Sequence, residues 1–235
     1  MDTGKALAPD RPVPADLFWS GPVIVQWCIK GMALGGDEQA KSLIDSRGGI
    51  QCNWWRDVHR ISPDGIRDKL TDQNLNLHVN HFTVLDPSTK REFRELTPFI
   101  SLTAGTVERD AAAKTNVVRR ARATALWFGT NFGESDHAYL YTCWLVVAPR
   151  AAVPIESVAE EVRDLNTYRR YSQFQLEGEM VAKISVPDNQ IKDCEKWDWD
   201  RSHLLFRRAW THPNPRFTLP EMLTNIRELI LYGEA

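Results

Sequence analysis

The sequence predicts a single α+β domain with a strand-rich core and helices on its flanks. Three observations predict it. Short runs rich in β-branched and aromatic residues recur at Pro22–Ile29, Ala138–Val147 and Glu177–Val186. Stretches with helical spacing lie between them, such as Asp37–Ser46 and Pro154–Asn166. No internal repeat, charge block or long linker divides the 235 residues.

Residues 1–16 carry Pro9, Pro12 and Pro14 and read as a loose arm, leaving 17–235 as the domain. Pro22–Ile29 alternates and is β-branched, so it reads as a strand broken by Gly31, Gly35 and Gly36. Asp37–Ser46 reads as a short helix and Gln51–Arg60 as a strand. Ser62 followed by Pro63 is an N-cap with proline at the first helical position, so Pro63–Leu70 reads as a helix. His78–Leu85 and Thr97–Leu102 read as strands, the latter stopped by Thr103-Ala104-Gly105. Val107–Phe128, rich in alanine and basic residues, reads as the longest helix. Ala138–Val147 is an aromatic, β-branched strand and Pro154–Asn166 an amphipathic helix. Glu177–Val186 and His203–Trp210 read as late strands, and Leu219–Leu231 as a closing helix.

Composition excludes several classes. With 43% hydrophobic residues and nine tryptophans the chain can bury a sizeable core. A net charge of −2 does not call for nucleic acid or an anionic membrane. Cys28, Cys52, Cys143 and Cys194 are widely spaced with no CxxC, which fits reduced thiols better than disulfides or a zinc site. The apolar run Val23–Cys28 is too short to span a bilayer, and no basic segment leads into an apolar one at the N-terminus. A cytoplasmic protein without a membrane role is the expectation. His78 and His81, read on a strand, fall on opposite faces, which argues against a shared metal. There is no P-loop, GxGxxG or GxSxG.

The most informative stretch is Glu177-Gly178-Glu179, opening a strand-like run that ends in a Pro187-Asp188-Asn189 turn. In an extended chain both carboxylates point to one face. Such a pair suits two linked jobs, stabilising a sugar cation and accepting a proton from a nucleophile. Two other segments complete a pattern. Trp55-Arg56-Asp57-Val58-His59-Arg60-Ile61-Ser62-Pro63 runs aromatic-Arg-x-x-x-Arg-x-x-Pro. Phe99-Ile100-Ser101-Leu102-Thr103-Ala104 is an apolar strand ending in hydroxyl residues.

In chain order, over roughly residues 52–195, these three segments resemble the arginine-serine-glutamate class of ADP-ribosyltransferases, typified by cholera- and pertussis-toxin-like enzymes. In that class a first strand ends with an arginine, a second in Ser-Thr-Ser, and a third starts with Gln/Glu-x-Glu. Two departures matter: Leu102 holds the middle of the second motif, and Ala104 replaces its last serine. The resemblance implies a split β-sheet core of two packed small sheets, with NAD as co-substrate and no metal. It implies that Glu179 holds the nicotinamide ribose and stabilises the oxocarbenium charge. Arg56 would clamp the NAD phosphates, with His59 close by. Ser101 would orient Glu179, Thr103 would support the same strand, and Glu177 would act on the nucleophile. A Glu rather than Gln at 177 favours a protein arginine as acceptor.

The loop before the third motif would recognise the acceptor through Tyr171, Phe174 and Gln175. Arg169 and Arg170 beside them leave an RNA or DNA acceptor open. The implied protein is a bacterial toxin or effector with a macromolecular acceptor and an antitoxin or chaperone partner. The competing readings are a glycohydrolase and a non-enzymatic binding module. Arg109, Arg119, Arg120 and Arg122 read as a solvated basic helix face, and Trp197-Asp198-Trp199-Asp200 as rim packing.

Overall fold

A computed structural model describes residues 23–46, 48–54, 69–110, 115–147, 158–161, 178–220 and 226–229. Its elements run β1 (Val23–Met32), α1 (Asp37–Asp45), β2 (Ile50–Gln51), α2 (Asp72–Asn80), α3 (Phe93–Leu96) and β3 (Phe99–Thr103). There follow β4 (Thr106–Asp110), β5 (Thr115–Arg119), α4 (Ala121–Gly129), β6 (His137–Val147), β7 (Val158–Glu161) and β8 (Glu179–Lys183). β9 (Ser185–Val186), β10 (Ile191–Asp200), β11 (Leu205–Pro213) and β12 (Ile226–Leu229) complete them. The class is α+β, as the sequence predicts. Among the described residues no helix is long and apolar enough to cross a membrane.

The architecture turns on two strands that change partners. β1 pairs antiparallel with β6 from Ile24–Val147 to Met32–Tyr139. The other edge of β6 pairs with β10 as far as Cys143, then with β7 at Val146 and Val147. The other edge of β1 pairs with β12 over Val23–Gln26, then meets β3 at Ile29–Thr103. β3, β8 and β7 form an antiparallel ladder. All eight strands are therefore linked, but the sheet splits into a β11-β10-β6-β1-β12 half and a β7-β8-β3 half. One core cluster draws on both halves: Cys28, Tyr141, Leu145 and Ile191 from the first, Ile100, Leu102, Met180 and Ala182 from the second. This is the split-sheet arrangement expected.

α1 closes one end of that core. Its Ala40 and Ile44 are fully buried, and Tyr141 donates to the Ala40 carbonyl at 2.8 Å. Asp37, in its first turn, accepts from Tyr139 Oη (2.7 Å), Trp210 Nε1 (3.0 Å) and the Lys196 ammonium (3.0 Å). The four cysteines are reduced and buried. α4 lies directly on β1 because residue 31 is glycine: a Cβ there would sit 1.9 Å from the Ala125 carbonyl oxygen.

Several sequence expectations are corrected. The stretch read as a helix over Val107–Phe128 is a β-hairpin, β4 on β5 with Val107 opposite Val118, and only then α4. Valines flanking the alanines favour pairing over the local helix propensity. Arg109 and Arg119 thus sit on strands, and the four arginines share no helix face. Arg122 instead stacks on Trp197 at 5.2 Å beside Glu195, whose carboxylate accepts from Trp197 Nε1 (2.8 Å) and Arg208 (2.7 Å).

The segment read as a strand over His78–Leu85 is helical up to Asn80, because Thr71 caps α2 by accepting from the Asn74 amide at 3.2 Å. The argument from opposite strand faces for His78 and His81 therefore falls away. Within the stretches read as helices at Pro154–Asn166 and Leu219–Leu231 lie β7 and β12, each adding a parallel strand to an open edge of β6 or β1. Within Gln51–Arg60 the described strand is β2 alone, ending at Gln51. The Pro63–Leu70 helix falls largely outside the described residues.

The three donors hold the Asp37 carboxylate down at about 2, from an ordinary 3.8, chiefly through Tyr139 and then Lys196. A carboxylate depressed in the fold stabilises it fully above pH 3.8, and loses that stabilisation as pH falls towards 2. Asp37→Asn should therefore lower stability at pH 7 and flatten the acid limb between pH 4 and 2. Urea unfolding across that range checks it; an unchanged acid limb would refute the assignment.

Candidate functional site

β1 and β3 touch at Ile29–Thr103 and then diverge, opening a wedge. A cavity of about 380 Å³ fills it, within the range of small-molecule sites. Lys30 to Leu34 form one wall and Phe99 to Thr103 the floor, with Glu179 at its edge. α2 contributes His78 and Val79, and the end of α4 contributes Phe128.

Strand register explains how the floor is built. β3 and β8 pair with Thr103 opposite Glu179 and Ser101 opposite Val181. Ser101 and Thr103 alternate to one face with Glu179, while Leu102 and Ala104 turn into the core at 4% and 5% exposure. The two departures from the expected motif are thus core side chains. Ala104 still contributes its amide, which donates to the Gly178 carbonyl at 2.9 Å. Thr103 Oγ1 accepts from the Gly105 amide at 3.1 Å.

Gly178 is the sterically required centre of Glu-Gly-Glu. It has φ +60°, and a Cβ there would meet the Gly105 oxygen at 2.0 Å. This tight corner delivers Glu179 onto the start of β8, half-buried at the cavity.

Sequence reasoning missed His78. α2 buries Leu75 and Val79 against Phe99 and Val181, which aims His78 at the floor. Its Nε2 lies 2.8 Å from Ser101 Oγ and its Nδ1 2.9 Å from Thr97 Oγ1. Burial first, and the nearby Lys30 ammonium second, push His78 down to about 3. The ring is therefore neutral at neutral pH, with one donor and one acceptor nitrogen. Thr97 is buried and its Oγ1 already accepts from the Phe99 amide at 3.2 Å. Its hydroxyl proton satisfies Nδ1, which assigns the remaining proton to Nε2. Nε2–H then donates to Ser101, and the Ser101 hydroxyl keeps its own proton to give elsewhere. The signal in the sequence was the Thr71 cap, with Leu75 and Val79 four apart.

Of the residues expected at the site, the structure brings together Ser101, Thr103 and Glu179. Arg56, His59, Tyr171, Phe174, Gln175 and Glu177 lie outside the described residues. Lys30 was not anticipated. It sits near the end of the first strand and lines the cavity. Among the described residues no group of three or more His, Cys, Asp or Glu could hold a metal.

No protein-family model and no curated protein matches the chain. Among solved structures it is similar to EcPltA, with 12% identity and a TM-score of 0.47 over 83% of this chain and 89% of that one. It is also similar to a buried-residue mutant of E. coli heat-labile enterotoxin, with 12% identity and a TM-score of 0.43 over 86% and 82%. An arginine-to-lysine mutant of heat-labile enterotoxin gives 14% identity and a TM-score of 0.38 over 86% and 81%.

Two outcomes follow from this geometry. Gly178→Ala combines a clash with a left-handed backbone, and should destabilise the protein by at least about 1–2 kcal/mol; equal urea midpoints would refute the tight corner. His78 binds no proton in the fold between its ordinary 6.5 and about 3, whereas the unfolded chain does. Its presence thus makes stability fall as pH drops through that window. His78→Asn should flatten that slope, read from unfolding at pH 7, 5 and 4.

Proposed function

We propose that this protein is a mono-ADP-ribosyltransferase that cleaves NAD at the nicotinamide–ribose bond and transfers ADP-ribose to a macromolecular acceptor. The observation that carries this reading is the cavity floor: Glu179 beside Thr103, with Ser101 one step along the same face and its hydroxyl held by His78. In this reading Glu179 lies against the ribose hydroxyls, and its charge offsets the oxocarbenium that forms as nicotinamide leaves. His78 fixes Ser101 so that the serine proton turns towards the Glu179 carboxylate or the ribose. Thr103 stiffens the strand that presents both.

A diphosphate needs a cation. Arg56 remains a candidate on the sequence pattern. Lys30 and Arg94 are the described cations that line the cavity, and Lys30 lies on the first strand, where the resemblance expects an arginine. An ammonium supplies a point charge where an arginine supplies a fork, so Lys30 would hold the phosphates less directionally. Glu177 would take the proton from the nucleophile, with protein arginine the favoured acceptor, and Tyr171, Phe174 and Gln175 would contact it. A toxin or effector role, restrained by an antitoxin or chaperone, accords with such an activity inside cells.

Labelled NAD, supplied with separate protein, RNA and DNA pools, tests the reading in wild type and Glu179→Gln. Label should enter the protein pool and fall by about 10²–10³-fold in the variant with no change in Tm. Label in RNA or DNA would reassign the acceptor, and nicotinamide release without label would reduce the activity to a glycohydrolase. Absence of both turnover and NAD binding in wild type would sink the reading.

A further inference from the structure

We propose that Phe128 and Phe132, at the end of α4, form the binding face for the adenine ring of NAD. The inference rests on the reading of the cavity as an NAD site and says how the dinucleotide lies in it. Phe128 and Phe132 are 37% and 42% exposed, yet both line the cavity. The Phe128 and Phe132 rings meet edge-on at 5.4 Å, and Trp127 meets Phe132 edge-on at 6.1 Å. Large aromatic faces left open at a cavity mouth are suited to a planar ligand.

The turn that carries Phe132 is held in an unusual shape. Asn131 and Phe132 have φ of 51° and 61°, a costly conformation for a bulky side chain. Thr130 Oγ1 accepts from the Gly133 amide at 3.0 Å and donates to the Leu126 carbonyl at 2.9 Å. The Phe132 amide donates back to Trp127 at 2.9 Å. These bonds fix where Phe132 is presented.

Position along β1 selects adenine over nicotinamide. Ile29 sits against Thr103, the residue opposite Glu179. Three residues later, the end of α4 rests on Met32: a Cβ on Gly129 would lie 3.3 Å from the Met32 nitrogen. At about 3.3 Å per residue of strand, that is about 10 Å from the glutamate end of the cavity. Lys30 lies between. The order along the strand is carboxylate, cation, aromatic pair. NAD has the matching order: nicotinamide ribose, diphosphate, adenosine. The nicotinamide ring is bonded to the ribose that Glu179 would hold, so it stays at that end. The ring on the far side of the phosphates is the one that reaches the phenylalanines. Because a phenyl face has no hydrogen-bonding group, the site reads a flat ring rather than the edge of adenine.

Calorimetric titration of the full chain with NAD and with nicotinamide mononucleotide, which lacks the adenosine half, tests this. In Phe132→Ala, NAD binding should weaken about tenfold, with nicotinamide mononucleotide within twofold of wild type. Phe132→Trp should keep NAD affinity, and thermal melts should show all variants folded. Equal losses for the two ligands, or unchanged NAD affinity in both Phe132→Ala and Phe128→Ala, would overturn the inference while leaving the NAD site standing. Wild type that binds neither ligand would overturn the proposed function along with it.

Discussion

The pairing of Ile29 with Thr103 is the contact on which the rest of this structure depends. It links the β3 edge of the β7-β8-β3 half back to β1, completing a circuit of strands through β6, β7 and β8. It also sets the cavity, because β1 and β3 diverge from that point and leave a wedge between them. On one side of the pair Ile29 is 1% exposed and packs with Ala121, Ala125, Ala138 and Leu140, which seats α4. On the other, Thr103 faces Glu179 across the β3–β8 ladder. One register choice therefore fixes helix, carboxylate and opening together, and a one-residue slip of β3 would turn Ser101 and Thr103 into the core.

The polar side of the wedge depends on a half-buried imidazole that is neutral at neutral pH. An imidazolium would donate from both nitrogens, leaving the Thr97 proton facing a donor in a buried place. Keeping His78 neutral resolves that conflict and gives the chain Thr97, His78, Ser101 a single direction. The proton at its open end lies at the cavity, where a sugar hydroxyl or a carboxylate would meet it. Burial of Leu75 and Val79 beneath α2 supplies the positional stiffness that such a chain requires.

Much of this was legible in the sequence where local pattern and tertiary demand agree. β1, α1, β3, β6 and the run from Glu179 to Val186 carry their own periodicity, and the resemblance picks out the carboxylate and hydroxyls of the floor. The failures share a cause. β7, β12 and the β4–β5 hairpin are short segments of mixed propensity, and what decides them is an open strand edge or a facing strand far away in the chain. The end of α2 was misread as the start of a strand over His78–Leu85 because Val79, Phe82, Thr83 and Val84 are β-branched or aromatic; the Thr71 cap was the tie-breaker. The place of His78 at the cavity went unseen with it. Lys30 was overlooked because the expected residue was an arginine, and Arg56 had a matching context downstream.

Three left-handed backbone steps border the same cavity, and they have a common consequence. Ile184, directly after β8, has φ 65° although it is β-branched and 3% exposed. Its amide donates to the Pro98 carbonyl at 2.9 Å, and its carbonyl accepts from the Cys52 amide at 2.8 Å. That left-handed step separates β8 from β9, lets β9 pair with β2, and so brings Gln51 and Cys52 to the cavity wall. Gly178 performs the equivalent step at the other end of β8, and Asn131–Phe132 does so after α4. Each costs on the order of 1–3 kcal/mol where the residue is not glycine. Two unfavourable turns bordering one cavity, at Ile184 and at Asn131–Phe132, each held by backbone hydrogen bonds, are expensive for a fold that needs only a core. They are accounted for if the positions of Glu179, Cys52 and Phe132 relative to one another are what the fold is built to hold.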